Sequence, residues 1–124
     1  MGKFVIKQTA TGFTFSLKAG NGEVIATGGE VYSALDSCKN GVESVKKNAP
    51  VANIEDQTVE DFATEKNPKF EIYEDKAGEF RFRLKATNGQ VIATSEGYTK
   101  KDGCKNGIES VKKNAPDADV ELPE

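Results

Sequence analysis

The side chains with the widest chemical range in this chain are two cysteines. The sequence contains no histidine, which removes the most common general base and a frequent metal ligand. Neither Cys38 nor Cys104 has an activating base near it in the sequence. Two thiols also make a poor zinc site, because zinc in proteins usually has four nitrogen or sulfur ligands. We therefore predict no catalytic cysteine, no metal and no cofactor.

Adjacent carboxylates are the other candidates for chemistry, and the chain has three such pairs: Glu55-Asp56, Glu60-Asp61 and Glu74-Asp75. A carboxyl group serves as a general acid or base when a pocket shifts its pKa. Two of the pairs lie in an acidic segment and the third lies in a predicted turn, so solvated loop acids explain all three. The sequence also lacks a glycine-rich phosphate-binding loop. These features favour a protein that is not an enzyme.

The length and composition are those of one globular domain. The chain has 124 residues, of which 36% are hydrophobic and 30% are charged. No apolar run approaches the roughly 18 residues of a membrane helix. The first residues, MGKFVI, show neither a signal-peptide core nor a myristoylation pattern. We expect a cytoplasmic protein that does not enter a membrane.

The chain contains an internal repeat. Residues 38–50 read CKNGVESVKKNAP and residues 104–116 read CKNGIESVKKNAP, identical at twelve of thirteen positions. The similarity extends upstream, where FTFSLKA at 13–19 matches FRFRLKA at 80–86. Between the copies, residues 51–66 hold five acids and one lysine. This pattern predicts a tandem duplication with an acidic connection.

Each copy has a strand with one buried face. In the second copy, apolar residues alternate with basic ones along Phe80, Arg81, Phe82, Arg83, Leu84 and Lys85. The Asn88-Gly89 dipeptide that follows predicts a two-residue hairpin turn.

This turn determines which residues share a face of the sheet. A two-residue loop pairs Leu84 with Ala93 and Lys85 with Ile92. Ala93 would then face the core, whereas Ile92 would lie on the outer face beside the basic side chains. By the same argument, Ile25 lies on the outer face in the first copy.

A helix follows the hairpin in each copy. Ser33 and Asp36 form a variant of the capping box at its start, and Asn48 and Pro50 end it. The alternative is a shorter helix that begins at Asn40. The longer helix is supported by one apolar stripe at helical spacing, made by Leu35, Cys38, Val42, Val45 and Ala49.

Gly41 and Gly107 lie inside these helices, where glycine costs roughly 1 kcal/mol relative to alanine. Because both lie beside the apolar stripe, we predict that another backbone approaches them closely. Cys38 and Cys104 lie on the stripe itself. Two alternatives remain for them: buried free thiols, or a disulfide if the helices lie side by side.

A short apolar segment follows each helix, so the unit is β-β-β-α-β. One such unit leaves a sheet edge and half of its helix uncovered. Two units can share one sheet and place both helices on the same side, where each helix meets its twin. Such a contact would explain why the two helices are nearly identical, and recent duplication is the alternative explanation.

Stretches of the second copy resemble the bacterial YegP-like family: KFEIY at 69–73, GEFRFRLKA at 78–86 and NGQVIATSEGY at 88–98, continued by 104–115. The resemblance covers nearly the whole chain. It implies a β(3)-α-β repeat, used in tandem or as a dimer of single copies, in which the two units exchange their last strands. It implies no known activity and therefore no catalytic residue.

These features together predict an α+β fold of two tandem β-β-β-α-β repeats. The repeats form one antiparallel sheet with two helices packed on one face, and their C-terminal strands are exchanged. We expect a single pseudo-twofold domain over residues 1–124, with repeats at 1–58 and 68–124 and a connection at 59–67. We also expect a monomer.

The face of the sheet away from the helices carries the predicted binding surface: Arg81, Arg83, Lys85, Tyr73 and Ile92. A solvated strand face whose charges discourage edge aggregation explains these residues without a ligand. Sheets that bind single-stranded nucleic acid combine positive charge with stacking aromatics. Here Tyr73 is the only aromatic side chain that we expect to point outwards. In the first copy, Thr14 and Ser16 stand where the second copy has arginines. By elimination we predict a non-enzymatic structural or protein-interaction module whose partner is unknown; the alternative is weak binding of single-stranded nucleic acid or another polyanion.

Overall fold

The computed structural model describes residues 2–123, so the predicted domain limits at residues 1 and 124 lie outside the described residues. Its strands are β1 (Lys3–Thr9), β2 (Gly12–Lys18), β3 (Val24–Gly28), β4 (Asn53–Asp56), β5 (Lys69–Glu74), β6 (Phe80–Lys85), β7 (Val91–Thr94) and β8 (Asp119–Glu121). Its helices are α1 (Leu35–Asn48) and α2 (Lys101–Asn114), and a 3₁₀ turn, Ala49–Val51, follows α1. We call β1 to β4 with α1 the first half, and β5 to β8 with α2 the second half.

The eight strands form one sheet in the order β4-β5-β6-β7-β3-β2-β1-β8. The last strand of each half therefore lies beside the first strand of the other half, which confirms the strand exchange. Both exchanged strands pair in parallel, so the sheet is mixed, whereas we predicted an antiparallel sheet. Alternation of side chains predicts the faces of a strand but not its direction, which depends on where each helix returns the chain to the sheet.

The core lies between the two helices and one face of the sheet. Phe4 and Phe15 meet edge to face with ring centroids 5.9 Å apart, and Phe70 and Phe82 repeat this contact at 5.7 Å. All four rings are buried. Because the second half reproduces the packing of the first, the duplication extends to the geometry of the core.

The predicted two-residue turn at Asn88-Gly89 is wrong, because the loop has three residues. The Ala86 N–H donates to the Gln90 carbonyl at 3.0 Å, and the Gly89 N–H donates to the Ala86 carbonyl at 2.9 Å. Gly89 has a φ of 84°, whereas Asn88 has no positive φ. This is a type I turn followed by a left-handed glycine, the usual three-residue hairpin.

The longer loop is accompanied by a β-bulge that changes the faces of β7. Leu84 pairs with Ala93 as predicted, but Lys85 pairs with Val91 and Ile92 is the extra residue of the bulge. Ile92 is 7% exposed and belongs to the hydrophobic core. The prediction that Ile92 lies on the outer face is therefore wrong. Ile25 is likewise buried in the core of the first half.

Both helices begin well before the central asparagine, so the longer helix is confirmed and the start at Asn40 is wrong. Helix α1 begins at Leu35 and helix α2 at the equivalent Lys101. The predicted capping box does not form: the N-cap residues are Ala34 and Lys100, and neither makes a side-chain capping hydrogen bond. Tertiary packing therefore stabilises these helix starts.

The helical glycines make room for tyrosine rings. A Cβ atom on Gly41 would lie 2.5 Å from the Tyr32 hydroxyl oxygen, and one on Gly107 would lie 2.5 Å from that of Tyr98. The expected close approach of another backbone is therefore wrong. A side chain at either glycine would collide with an aromatic ring that packs on the core.

Each helix packs mainly on strands from both halves. Helix α1 contacts β2 of its own half and β7 of the other, and α2 contacts the equivalent β6 and β3. The two helices therefore meet equivalent surroundings. This shared environment explains their similar buried faces without the predicted contact between twin helices.

Candidate functional site

The outer face of the sheet, which we call the open face, brings together most of the predicted binding residues. In the β5–β6 pair, Tyr73 lies opposite Arg81, and Lys69 lies opposite Lys85. These residues alternate with the buried Phe70 and Ile72 lining the core. The structure therefore places Arg81, Arg83, Lys85 and Tyr73 on one face, and it removes Ile92 from that set.

Arg83 is held by two neighbours on β5. Its Nε donates to Glu71 Oε1 at 2.6 Å, and its guanidinium carbon lies 4.7 Å from the centroid of the Tyr73 ring. The first contact is a charge-assisted hydrogen bond, and the second is a cation–π contact. The Tyr73 ring thus contacts a cation of its own chain. The sequence had suggested instead that this ring could stack on a nucleic-acid base.

Arg81 is also paired. Its Nε donates to Asp75 Oδ2 at 2.6 Å, and its Nη1 donates to the Ser95 carbonyl at 3.3 Å. The hydrogen bond from Arg81 is the main reason that the pKa of Asp75 lies below its usual value. Asp75 in turn accepts the Glu79 N–H at 3.0 Å, so this acid of the predicted turn organises the β5–β6 hairpin.

A buried network of charges lies between β4, β5 and β6. Lys69 Nζ lies 2.8 Å from Glu55 Oε1 and 3.1 Å from Glu71 Oε2. Lys85 Nζ lies 3.3 Å from the same oxygen of Glu71. Glu55 and Glu71 are each 2% exposed, and Lys69 is 7% exposed. Together with Arg83, the network contains three cations and two carboxylates. Most of the positive charge that these basic side chains bring to the open face is therefore neutralised within the chain.

The network shifts the pKa values of its members. Burial by itself would raise the pKa of Glu55, but hydrogen bonds from Lys69, Gln57 and the Glu65 N–H outweigh it and lower that pKa to about 2. Burial opposes ionisation of Glu71 as well, yet bonds from Arg83 and Lys69 lower its pKa. Both carboxyl groups are therefore charged at neutral pH and act as acceptors.

The segment between the halves, residues 57–68, covers this network, and we call it the linker. The Glu65 N–H donates to Glu55 Oε1 at 2.8 Å, and Gln57 Nε2 donates to Glu55 Oε2 at 2.6 Å. Asn53 Nδ2 donates to the Lys66 carbonyl at 3.0 Å. The linker therefore packs on the open face beside β4. This contact buries the charges of Glu55 and Lys69.

Sequence reasoning assigned Lys69 and Glu71 no role in this network. Its interpretation of Glu55 as a solvated loop acid is wrong, because Glu55 lies in β4 and is 2% exposed. A signal was present, because Lys69, Glu71 and Tyr73 alternate with Phe70 and Ile72 and so share the face of the basic side chains. Glu55 gave no comparable signal. Its place beside Lys69 depends on the exchange of β4, which pairs the end of one repeat with the start of the next.

The two cysteines are buried free thiols, so the disulfide alternative is not realised. Burial raises the pKa of Cys38, and it raises the pKa of Cys104 to about 11. Neither thiol therefore supplies a thiolate at neutral pH. In the described range 2–123, no three histidine, cysteine or carboxylate side chains are grouped as metal ligands.

Neither helix in the described part of the chain has the length and apolarity that crossing a membrane requires.

Comparisons with known proteins agree with this geometry. The model of a domain of unknown function, DUF1508, matches twice, at residues 9–56 and 75–121. A UPF0339 protein of Pseudomonas aeruginosa is 38% identical over 117 residues, which cover 94% of this chain and 92% of that protein. A UPF0339 protein of Stutzerimonas stutzeri is 79% identical over 48 residues, but the match spans only 39% of this chain and 43% of that protein.

A solved structure shows the same arrangement. The NMR structure of yegP from E. coli, described as a protein of unknown function, is 33% identical to this chain. It aligns with a TM-score of 0.79 over 98% of this chain and 91% of that chain. None of these descriptions refers to nucleic acid. From the two matches to its family model and the shared α+β architecture, this chain belongs to the DUF1508 family, the UPF0339 or YegP-like proteins of unknown function, and carries the domain in two tandem copies.

Proposed function

We propose that this chain is a non-enzymatic, cytoplasmic interaction module that presents the open face of its sheet to a protein partner. The observation that carries the proposal is the one-sided covering of the sheet. Both helices pack on the core face, while Lys3, Lys7 and Thr27 on the open face are exposed. A layer of secondary structure that leaves one face accessible commonly binds another molecule there.

The pairing of charges supports a protein partner over a polyanion. Arg83 and Lys85 contact Glu71, and Arg81 contacts Asp75. A phosphate would have to displace these carboxylates, whose hydrogen bonds are already short and charge-assisted. A surface with paired charges of both signs matches the polar rim of a protein interface.

The absence of activated groups supports a function without catalysis. The described residues contain no histidine, and the thiols of Cys38 and Cys104 are buried with raised pKa values. The low pKa of Glu55 makes that carboxyl group a poor proton donor at neutral pH. The free thiols also support a reducing compartment such as the cytoplasm.

Capture of partners from a bacterial lysate tests the proposal. Thr27 lies at the centre of the open face, where its hydroxyl is 3.2 Å from that of Thr94 across the junction of the two halves. We expect Thr27→Lys to lose a protein that the parent captures. The matched control is Ser37→Lys, which places the same charge on an exposed position of α1.

The proposal is wrong if the captured protein is lost with Ser37→Lys and kept with Thr27→Lys. Circular dichroism of both variants establishes that they fold. A labelled single-stranded DNA serves as the second probe at low salt, where any electrostatic binding is strongest. We expect no binding, because the arginines are already paired.

A further inference from the structure

The two halves differ in what covers equivalent positions of the open face. Glu121 on β8 pairs with Lys3 on β1 at 3.2 Å, just as Glu55 on β4 pairs with Lys69 on β5 at 2.8 Å. The side chains of Lys3 and Glu121 are 47% and 57% exposed, whereas those of Lys69 and Glu55 are 8% and 2% exposed. The linker makes this difference, because it covers the Lys69–Glu55 pair and leaves the Lys3–Glu121 pair uncovered.

The outer edge of β1 is also open where its counterpart is paired. Strand β8 pairs only with Lys3, Phe4 and Val5, although β1 continues to Thr9. At the equivalent place on β5, the Gln57 N–H of the linker extends the β4–β5 pairing by donating to the Ile72 carbonyl at 2.8 Å. Pro123 takes the place of Gln57 here and has no N–H, so the equivalent bond to Ile6 cannot form.

A groove lies at this open edge. Its walls come from Val5, Ile6 and Lys7 of β1 and from Glu121 and Leu122, and its volume is about 380 Å³. Leu122 is 49% exposed. An unpaired strand edge beside an apolar side chain is the setting in which an extended peptide adds to a sheet.

Charge indicates which peptide the groove would take. Among residues 2–123, Lys3, Lys7 and Lys18 lie on the open face of β1 and β2, and Asp119 and Glu121 of β8 share that face, which leaves a local excess of one positive charge. The linker, which occupies the equivalent place in the second half, is acidic: residues 57–66 contain three acids and one lysine. The groove therefore suits an acidic segment similar to the linker.

We propose that the edge of β1 from Ile6 to Thr9, with the lysines beside it, binds an extended acidic segment of a partner protein. The segment adds to the sheet at this edge and covers the Lys3–Glu121 pair, as the linker covers the Lys69–Glu55 pair. This proposal rests on the function proposed above and names the part of the open face that the partner contacts.

Titration of the isotopically labelled full chain with a synthetic peptide tests the site by NMR. The probe is QTVEDFATEKN, the sequence of linker residues 57–67. We expect amide shifts at Ile6 to Thr9 and at Glu121. A peptide in which Gln or Asn replaces the three acids should bind about three- to tenfold more weakly, since a few exposed charge pairs contribute about 1 kcal/mol.

Two variants of the full chain sharpen the test. Lys7 is exposed, and none of the ion pairs among residues 2–123 includes it, so Lys7→Glu should weaken binding of the acidic peptide about tenfold without unfolding the chain. Lys47→Glu makes the same charge change on the exposed surface of α1 and should leave binding unchanged. Peptide binding that responds equally to both variants overturns the site.

Other outcomes also decide the matter. The proposal is overturned by no amide shifts at millimolar peptide, by shifts confined to β4 and β5, or by equal binding of the neutral peptide. Inorganic polyphosphate producing the same shifts would show that charge alone drives binding, and it would overturn a peptide site. If the titration fails while Thr27→Lys still loses a captured protein, the proposed function stands and this groove is the wrong part of the face.

Discussion

Glu55 and Lys69 lie 2.8 Å apart, although one ends the first repeat and the other begins the second. Their ion pair joins strands β4 and β5, which are parallel neighbours at one end of the sheet. The same relationship between Glu121 and Lys3 closes the other end. Each half of the chain therefore completes the sheet of the other.

The buried pair should matter more for stability than its exposed twin. Lys69→Met leaves Glu55 and Glu71 buried without their shared cation, and we expect a loss of about 3 kcal/mol in the free energy of unfolding. Lys3→Met removes the equivalent exposed cation and should cost less than about 1 kcal/mol. Urea denaturation of both variants measures the difference, and equal losses would show that burial by the linker is unimportant.

Acid should weaken the fold through Glu55. Its pKa in the folded state is about 2, below its ordinary value of 4.5. A carboxylate with a lowered pKa stabilises the fold above its unfolded pKa, and that contribution is lost as the pH falls from about 4.5 to about 2. We expect the unfolding free energy to fall across this range, and to fall less steeply in Glu55→Gln. Identical slopes in the two proteins would contradict the role of Glu55.

A side chain at Gly107 should collide with Tyr98. We expect Gly107→Leu to lower the free energy of unfolding by more than the roughly 1 kcal/mol span of helix propensity, which itself favours leucine over glycine. Gly103→Ala on the same helix is the control, because its Cβ would lie 3.3 Å from Tyr98 and not 2.5 Å from its hydroxyl. An unchanged thermal midpoint for Gly107→Leu would disprove the close contact.

Neither half should fold alone as a monomer. A chain of residues 1–66 keeps β4 but lacks β5, its partner, and it leaves the outer edge of β3 unpaired. We expect this fragment to be unfolded or self-associated, and to form a folded complex when mixed with residues 67–124. Circular dichroism and gel filtration measure both properties. A compact, cooperatively unfolding monomer of residues 1–66 would show that the exchange is dispensable.

The sequence predicted the strands and helices more reliably than the loops that connect them. Alternation along Phe80 to Lys85 correctly assigned the faces of β6, because a period of two has one physical meaning in a strand. The loop at Asn88-Gly89 was assigned one residue too short, since Asn-Gly suits both a two-residue turn and a three-residue loop with a left-handed glycine. That error, with the bulge beside it, moved Ile92 to the wrong face.

The candidate surface was only partly predictable for a related reason. Arg81, Arg83, Lys85 and Tyr73 share a face, as the strand pattern required. Their partners came from elsewhere: Glu71 from the neighbouring strand and Asp75 from the turn. A stripe that looks basic along one strand is nearly neutral across two, because charges pair between strands.

By itself the sequence determined that the chain holds two copies of one unit in an α+β fold, since the repeat, the periodicities and the uncovered edge of one unit are all local properties. Tertiary structure alone decided that the exchanged strands run parallel, that tyrosines fill the space above Gly41 and Gly107, and that the linker covers Glu55. Such contacts join residues that are distant along the chain or held in irregular loops. Local patterning cannot specify them, because the energy that selects them comes from burial and charge pairing in the assembled sheet.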